Sequence, residues 1–143
     1  MQIPHDSFVL VADGRKSLFF RNAGDAEFPN LAVEEKEVDV NPAHHEQASD
    51  LAGRASNTLG SSMEEVDFHA LEEQRFAAAT AAMLKARALN NDYEALVVVA
   101  PPRTLGELRK HYHKEVEKRL VAEVPKDLVN TPVAEIEKVL KAT

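Results

Sequence analysis

Lys110, Lys114 and Lys118 recur at every fourth position, and Arg103, Arg109 and Arg119 flank them. On one continuous helix that interval places the three ammonium groups along a single ridge. The chemistry open to such a ridge is contact with phosphate oxygens. Each contact releases a counterion, so binding would depend strongly on salt. The same pattern also serves an ordinary solvated face. Glu115 precedes Arg119 by four residues, a helix-stabilising pair worth only about 0.3 kcal/mol. Spacing alone leaves both readings open.

Other chemistries find less support. Two-metal phosphoryl transfer needs converging carboxylates. Asp13 is one candidate, but it sits in the turn dipeptide Asp13-Gly14, where backbone demands explain it. The run Val99-Ala-Pro-Pro102 carries no acid, and Glu72 and Glu73 lie on a helix whose outer face must be polar anyway. His111 and His113 stand two apart, about 200° around a helix axis, and cannot share an ion without distortion. His44 and His45 have no evident partners. No Gly-x-Ser-x-Gly elbow, phosphate-binding loop or dinucleotide fingerprint occurs. No catalytic residue, metal ligand or small-molecule cofactor is expected, and a binding role is favoured over an enzymatic one.

These residues must be positioned by an α/β scaffold. Phe8-Val-Leu-Val-Ala12 is an apolar run expected of a strand buried on both faces. Asp13-Gly14 then turns the chain into a second strand at Ser17–Phe20, forming a β-hairpin. After a turn at Gly24-Asp25, residues 31–40 alternate apolar and acidic side chains and predict a third strand near a sheet edge. A long helix is predicted from about Asp67 to Leu89, with Phe76, Ala79, Met83 and Ala86 inward and Asn90-Asn91 at its end. Residues 95–100 form a central strand parallel to the first. Thr104-Leu-Gly-Glu107 has the pattern of a capping box opening a helix with Leu105, Leu108, Tyr112 and Val116 inward. Leu120–Val124 is a short fifth strand, and Thr131-Pro132 precedes a last helix with Val133, Ile136 and Leu140 inward. The order is β-β-β-α-β-α-β-α, a mixed five-stranded sheet with packed helices in the ribonuclease-H-like layout.

Residues 41–62 show no stable period. A stretch of that length inside a compact domain is usually functional or disordered, and a mobile solvent loop is expected. Should it act, Arg54 and Asn57 are its most plausible polar contributors.

The bulk properties fit one soluble domain spanning residues 1–143. Lys and Arg number 17 against 24 Asp and Glu, a net charge of −7, and cysteine is absent. Without thiols there is no disulfide framework or thiolate metal site. The start, Met1-Gln-Ile-Pro-His-Asp-Ser, lacks the basic and apolar regions of a secretory signal, and no run is long enough to span a bilayer. A cytoplasmic location away from membranes is expected. Charge is uneven: residues 1–100 hold 8 basic and 17 acidic side chains, residues 101–143 hold 9 and 7. An acidic chain argues against indiscriminate nucleic-acid binding, yet a local basic surface is allowed in the last third.

Val9-Leu-Val-Ala-Asp-Gly14, Val98-Val-Ala-Pro-Pro-Arg-Thr-Leu-Gly-Glu-Leu-Arg109, Val121-Ala-Glu-Val-Pro-Lys-Asp-Leu128 and Thr131-Pro-Val-Ala-Glu-Ile136 resemble the bacterial host attachment protein family. Members of that family are described as required for attachment to host cells. The family is in turn similar to the middle domain of archaeal and eukaryotic peptide-chain release factors. That resemblance places residues 41–62 where release factors carry a Gly-Gly-Gln motif, whose glutamine promotes peptidyl-tRNA hydrolysis on the ribosome. No Gly-Gly-Gln is present here. Leu51-Ala-Gly-Arg54 and Thr58-Leu-Gly-Ser61 come nearest, and Gln47 and Gln74 stand in neither context. The resemblance therefore implies a ribosome- or RNA-associated binding domain. It also implies two alternatives: a factor acting indirectly on attachment from the cytoplasm, and release-factor-like hydrolysis.

Overall fold

Phe8, Leu10 and Ala12 join one hydrophobic cluster while Val9 and Val11 join another, so β1 (Phe8–Ala12) presents an apolar side chain to both faces of the sheet. Only a central strand is placed that way. The computed structural model describes residues 1–38 and 61–143. β2 (Lys16–Asn22) pairs antiparallel with β1 through the Asp13-Gly14 turn, and β3 (Leu31–Val38) pairs antiparallel with β2 at the sheet edge. β4 (Leu96–Val99) lies parallel to β1, Val9 opposite Val97, and β5 (Leu120–Val124) lies parallel to β4. The sheet order is β3-β2-β1-β4-β5. This is the mixed five-stranded α/β arrangement expected from the sequence.

The helices described are α1 (Ser61–Leu89), α2 (Pro102–Arg109), α3 (Lys114–Arg119) and α4 (Val133–Ala142). α1, α2 and α3 cover one face of the sheet over Phe8, Leu10, Phe19, Leu96 and Val98. α4 covers the other, with Ile136 and Leu140 against Val9, Val11, Phe20, Val97 and Val99. No helix among the described residues is long and apolar enough to cross a membrane.

Four local expectations are corrected. α1 begins at Ser61, earlier than Asp67, so residues 61 and 62 of the expected loop are helical, and the rest of that loop lies outside the described residues. Its buried stripe is Ala77, Thr80, Ala81, Leu84 and Ala88, whereas Ala79 and Ala86 are exposed and Phe76 and Met83 half-buried. Small side chains let the helix axis approach the sheet, and the Thr80 hydroxyl meets the buried Ser17 hydroxyl at 3.1 Å. The larger Phe76 and Met83 fit only at the margin of so close a contact.

The capping box is also not used: Pro101 is the N-cap, Pro102 takes the first helical position, and Thr104 is buried within α2. Proline suits that position because its missing N–H would have had no partner there. Finally, the single helix expected after β4 is two. The amides of Lys110 and His111 turn back to the carbonyls of Glu107 and Leu108, closing α2. His113 then caps α3, its Nδ1 accepting from the Glu115 amide at 3.1 Å.

Candidate nucleic-acid interface

Because Lys110 to His113 is a turn, Lys110, Lys114 and Lys118 do not ride one continuous helix. Lys110 closes α2, and Lys114 and Lys118 belong to α3. They remain on the outside of the molecule. The Lys110 and Lys118 side chains are 64% and 67% exposed, each held by one carboxylate three residues back, Glu107 at 3.1 Å and Glu115 at 3.2 Å. Lys114 is exposed and has no ion pair among the described residues. Arg109, also exposed, is paired to Glu123 on β5 at 3.1 Å, and Arg103 to Glu73 on α1 at 3.2 Å. Exposed pairs of this kind contribute about 0–1 kcal/mol each and exchange readily for other anions.

Arg119 is of another kind. Its guanidinium donates to the Tyr93 carbonyl at 2.9 Å, to the carbonyl and carboxylate of Glu115 at 3.0 and 2.9 Å, and to Asn91 Oδ1 at 2.9 Å. Its side chain is only 17% exposed. With four of its five N–H donors engaged, it ties α3 to the end of α1 and to the segment leading into β4. Arg119 and Lys118 together hold the Glu115 carboxyl below its usual range. Arg54 and Asn57, the two polar candidates between β3 and α1, lie outside the described residues, as do His44 and His45.

Asp13 works as a turn residue: its Oδ1 accepts from the amides of Arg15 and Lys16 at 2.9 and 2.8 Å. Glu72 bonds Arg75 at 3.5 Å. His111 is exposed, and His113 spends its Nδ1 on the cap.

Sequence reasoning missed a polar assembly at the amino-terminal ends of β1 and β4. The ring of Phe8 stacks with Tyr93 at 5.1 Å and with Phe19 at 5.6 Å, while the guanidinium carbons of Arg21 and Arg87 lie 5.0 and 4.9 Å from its centroid. Arg21 bonds Glu34 and Asp92, and Arg87 bonds Glu34, Glu35 and Asp92. A bulge makes this possible. Phe19 pairs with Glu35 and Phe20 with Val33, so Glu34 is the extra residue in β3 and is turned towards both arginines.

The hydrogen bond from Arg21, with help from Arg87, holds the Glu34 carboxyl below its usual range. Burial works against the charge on Arg87, yet its bonds to Glu35 and Glu34 raise its pKa overall. Burial pushes the Tyr93 hydroxyl up to about 12, and that hydroxyl donates to the Leu84 carbonyl at 2.8 Å. The only local signal for this assembly was Asn90-Asn91. Asn91 adopts φ 55°, and the Asn91 and Asp92 amides return to Ala88 and Arg87 in a Schellman closure that sets Asp92 beside the arginines.

The arrangement thus offers exposed, weakly held lysines on α2 and α3, and a set of arginines engaged in holding the fold. The family described as bacterial archaeo-eukaryotic release factor family 12 matches residues 6–140, which take in the whole sheet and the described helices as far as Leu140. Among curated proteins none matches the chain. The match covers nearly the whole molecule, and the chain belongs to bacterial archaeo-eukaryotic release factor family 12.

Proposed function

We propose that this chain is a non-enzymatic, cytoplasmic binding domain that associates with the ribosome or with RNA. The observation that carries the proposal is the exposed lysine surface of α2 and α3. Lys110 and Lys118 have one local carboxylate each, and Lys114 has none among the described residues. An RNA phosphate can replace such a carboxylate at little cost, since the exposed pair contributes little to begin with. Membership of a release-factor-related family makes the ribosome the natural source of that phosphate.

The test is co-sedimentation of the full chain with ribosomes at low salt. Binding is expected to fall steeply as salt rises and to weaken when Lys110, Lys114 and Lys118 are changed to Glu. Sedimentation indifferent to both would remove the proposal.

A second reading rests on the segments at 98–109, 121–128 and 131–136, which resemble host attachment proteins. It is an indirect influence on attachment exerted from the cytoplasm, and cell fractionation tests it. Protein recovered at the cell surface would replace the indirect version with a direct one. Release-factor-like hydrolysis is disfavoured because Gly-Gly-Gln is absent. Peptidyl-tRNA hydrolysis on ribosomes, compared with a variant carrying Ala at Arg54 and Asn57, decides that point.

A further inference from the structure

The carboxyl-terminal ends of β1 and β4 bring together groups other than Lys110, Lys114 and Lys118. Thr104, at the third position of α2, is 8% exposed, and its hydroxyl has no hydrogen-bond partner among the described residues. That hydroxyl faces the β1–β2 turn: a methyl group placed on Gly14 would lie 3.5 Å from Thr104 Oγ1. Gly14 has φ +96°, a conformation suited to glycine, and its lack of a side chain leaves the hydroxyl uncovered.

The amides of Arg103 and Thr104 open α2, and neither has a partner among the described residues; the first bond runs from Leu105 to Pro101. The Gly14 amide is likewise unpaired among them. An arginine adjoins each of these residues in the chain, Arg15 after Gly14 and Arg103 before Thr104. Among the described residues Arg103 is held by Glu73 alone, at 3.2 Å, and Arg15 donates to His69 Nδ1 at 3.4 Å. Two carboxylates are near, Glu73 and Asp13, and the latter is engaged with the turn amides.

We infer that Gly14, Arg103 and Thr104, with Arg15 beside them, form a binding site for a phosphate group. A tetrahedral anion offers enough acceptors to take the free α2 amides, the Thr104 hydroxyl and a guanidinium together, and the helix N-terminus favours its charge. Arg103 exchanges Glu73 for the anion, while Asp13 stays with the turn. The phosphate is either the free ion or the ester of a nucleotide or RNA. The site is separate from Lys110, Lys114 and Lys118 and does not depend on their function.

The test is amide-resolved NMR of the full chain, titrated in separate arms with inorganic phosphate, adenosine monophosphate and a short single-stranded RNA. Saturable shifts of the Gly14, Arg103 and Thr104 amides in any arm support the site, and the tightest arm identifies the source. Thr104→Val is expected to weaken that binding about tenfold, and Arg103→Gln similarly, whereas Thr104→Ser retains it. If Thr104→Val unfolds, the contrast between Arg103→Gln and Thr104→Ser carries the decision. Glu at Lys110, Lys114 and Lys118 leaves these shifts in place, which separates this site from ribosome binding. Unmoved amides in every arm, shifts confined to surface lysines, or binding equal in all variants would overturn the site.

Discussion

The arginines gathered at the amino-terminal ends of β1 and β4 differ from the lysines on α2 and α3 in what surrounds them, not in charge. Arg21 and Arg87 lie over the Phe8 ring and between them hold Glu34, Glu35 and Asp92. Arg119 is fixed by Tyr93, Glu115 and Asn91. Lys110 and Lys118, in contrast, are themselves exposed and reach back to one half-buried carboxylate apiece among the described residues. A guanidinium with several partners and an aromatic ring beneath it is committed to the fold, because releasing it strands several groups at once. An ammonium with one solvated partner is free to take another anion. Partner number and desolvation, then, separate structural charge from charge available for binding.

Phe8 is where the first set can be broken most severely. It is fully buried, contacts two aromatic rings and carries two arginines. Phe8→Ala is expected to lower stability by about 3–5 kcal/mol in urea unfolding. A loss under about 1 kcal/mol would mean the rings do not organise the arginines.

This contrast also marks how far the sequence could be read. The central strands were legible because valine-rich runs at positions 8–12 and 95–100 have few uses other than a sheet covered on both sides. The hairpin was legible in Asp13-Gly14 and the close of α1 in Asn90-Asn91, where local backbone demands select the residue type. The face of α1 was misjudged by one residue, because periodicity favours large apolar side chains while close packing on the sheet selected Ala77, Thr80 and Ala81. The helix break at Lys110–His113 had no signal, since histidine is a rare cap. The bulge at Glu34 depends on the register between β2 and β3, and the Thr104 hydroxyl near Gly14 on the folding of the 89 residues between them.

Arg87 tests the first set more finely than Phe8. Arg87→Met keeps much of the stem while removing the charge that faces Glu34, Glu35 and Asp92. About 1–2 kcal/mol of stability is expected to go, because Arg21 still serves Glu34 and Asp92 and the site is partly solvated. Combining it with Glu34→Gln should cost less than the two single losses added, since both report one network. Simple additivity would dissolve the network into separate pairs.

The pH dependence sharpens the same point with a smaller effect. Arg21 foremost, then Arg87, holds Glu34 below the ordinary value of 4.5. Its stabilisation is therefore present above pH 4.5 and lost as pH falls from there through the folded-state value. Glu37 is raised by burial and by Glu35, so protonation favours the folded state there and opposes part of the loss. Glu34→Gln is expected to flatten the acid limb of the stability profile by under about 1 kcal/mol. An unchanged acid limb would show that Glu34 is not bound to its arginines in solution.

The smallest expected effect falls on the other set. Lys110→Gln, Lys114→Gln and Lys118→Gln together remove three positive charges and, among the described residues, only two ion pairs, with Glu107 and Glu115. Glu115 keeps Arg119 at 2.9 Å, so the α3 anchor survives, and Glu107 is left with access to water. Stability in urea should change by no more than about 0.5 kcal/mol. Ribosome sedimentation by the same protein should weaken, because each lysine lost removes one counterion-releasing contact and lowers the salt slope by about one. Binding lost at unchanged stability is what distinguishes available charge from committed charge. If the triple variant instead unfolds as easily as Arg87→Met, the lysines belong to the scaffold and the division between the two sets fails.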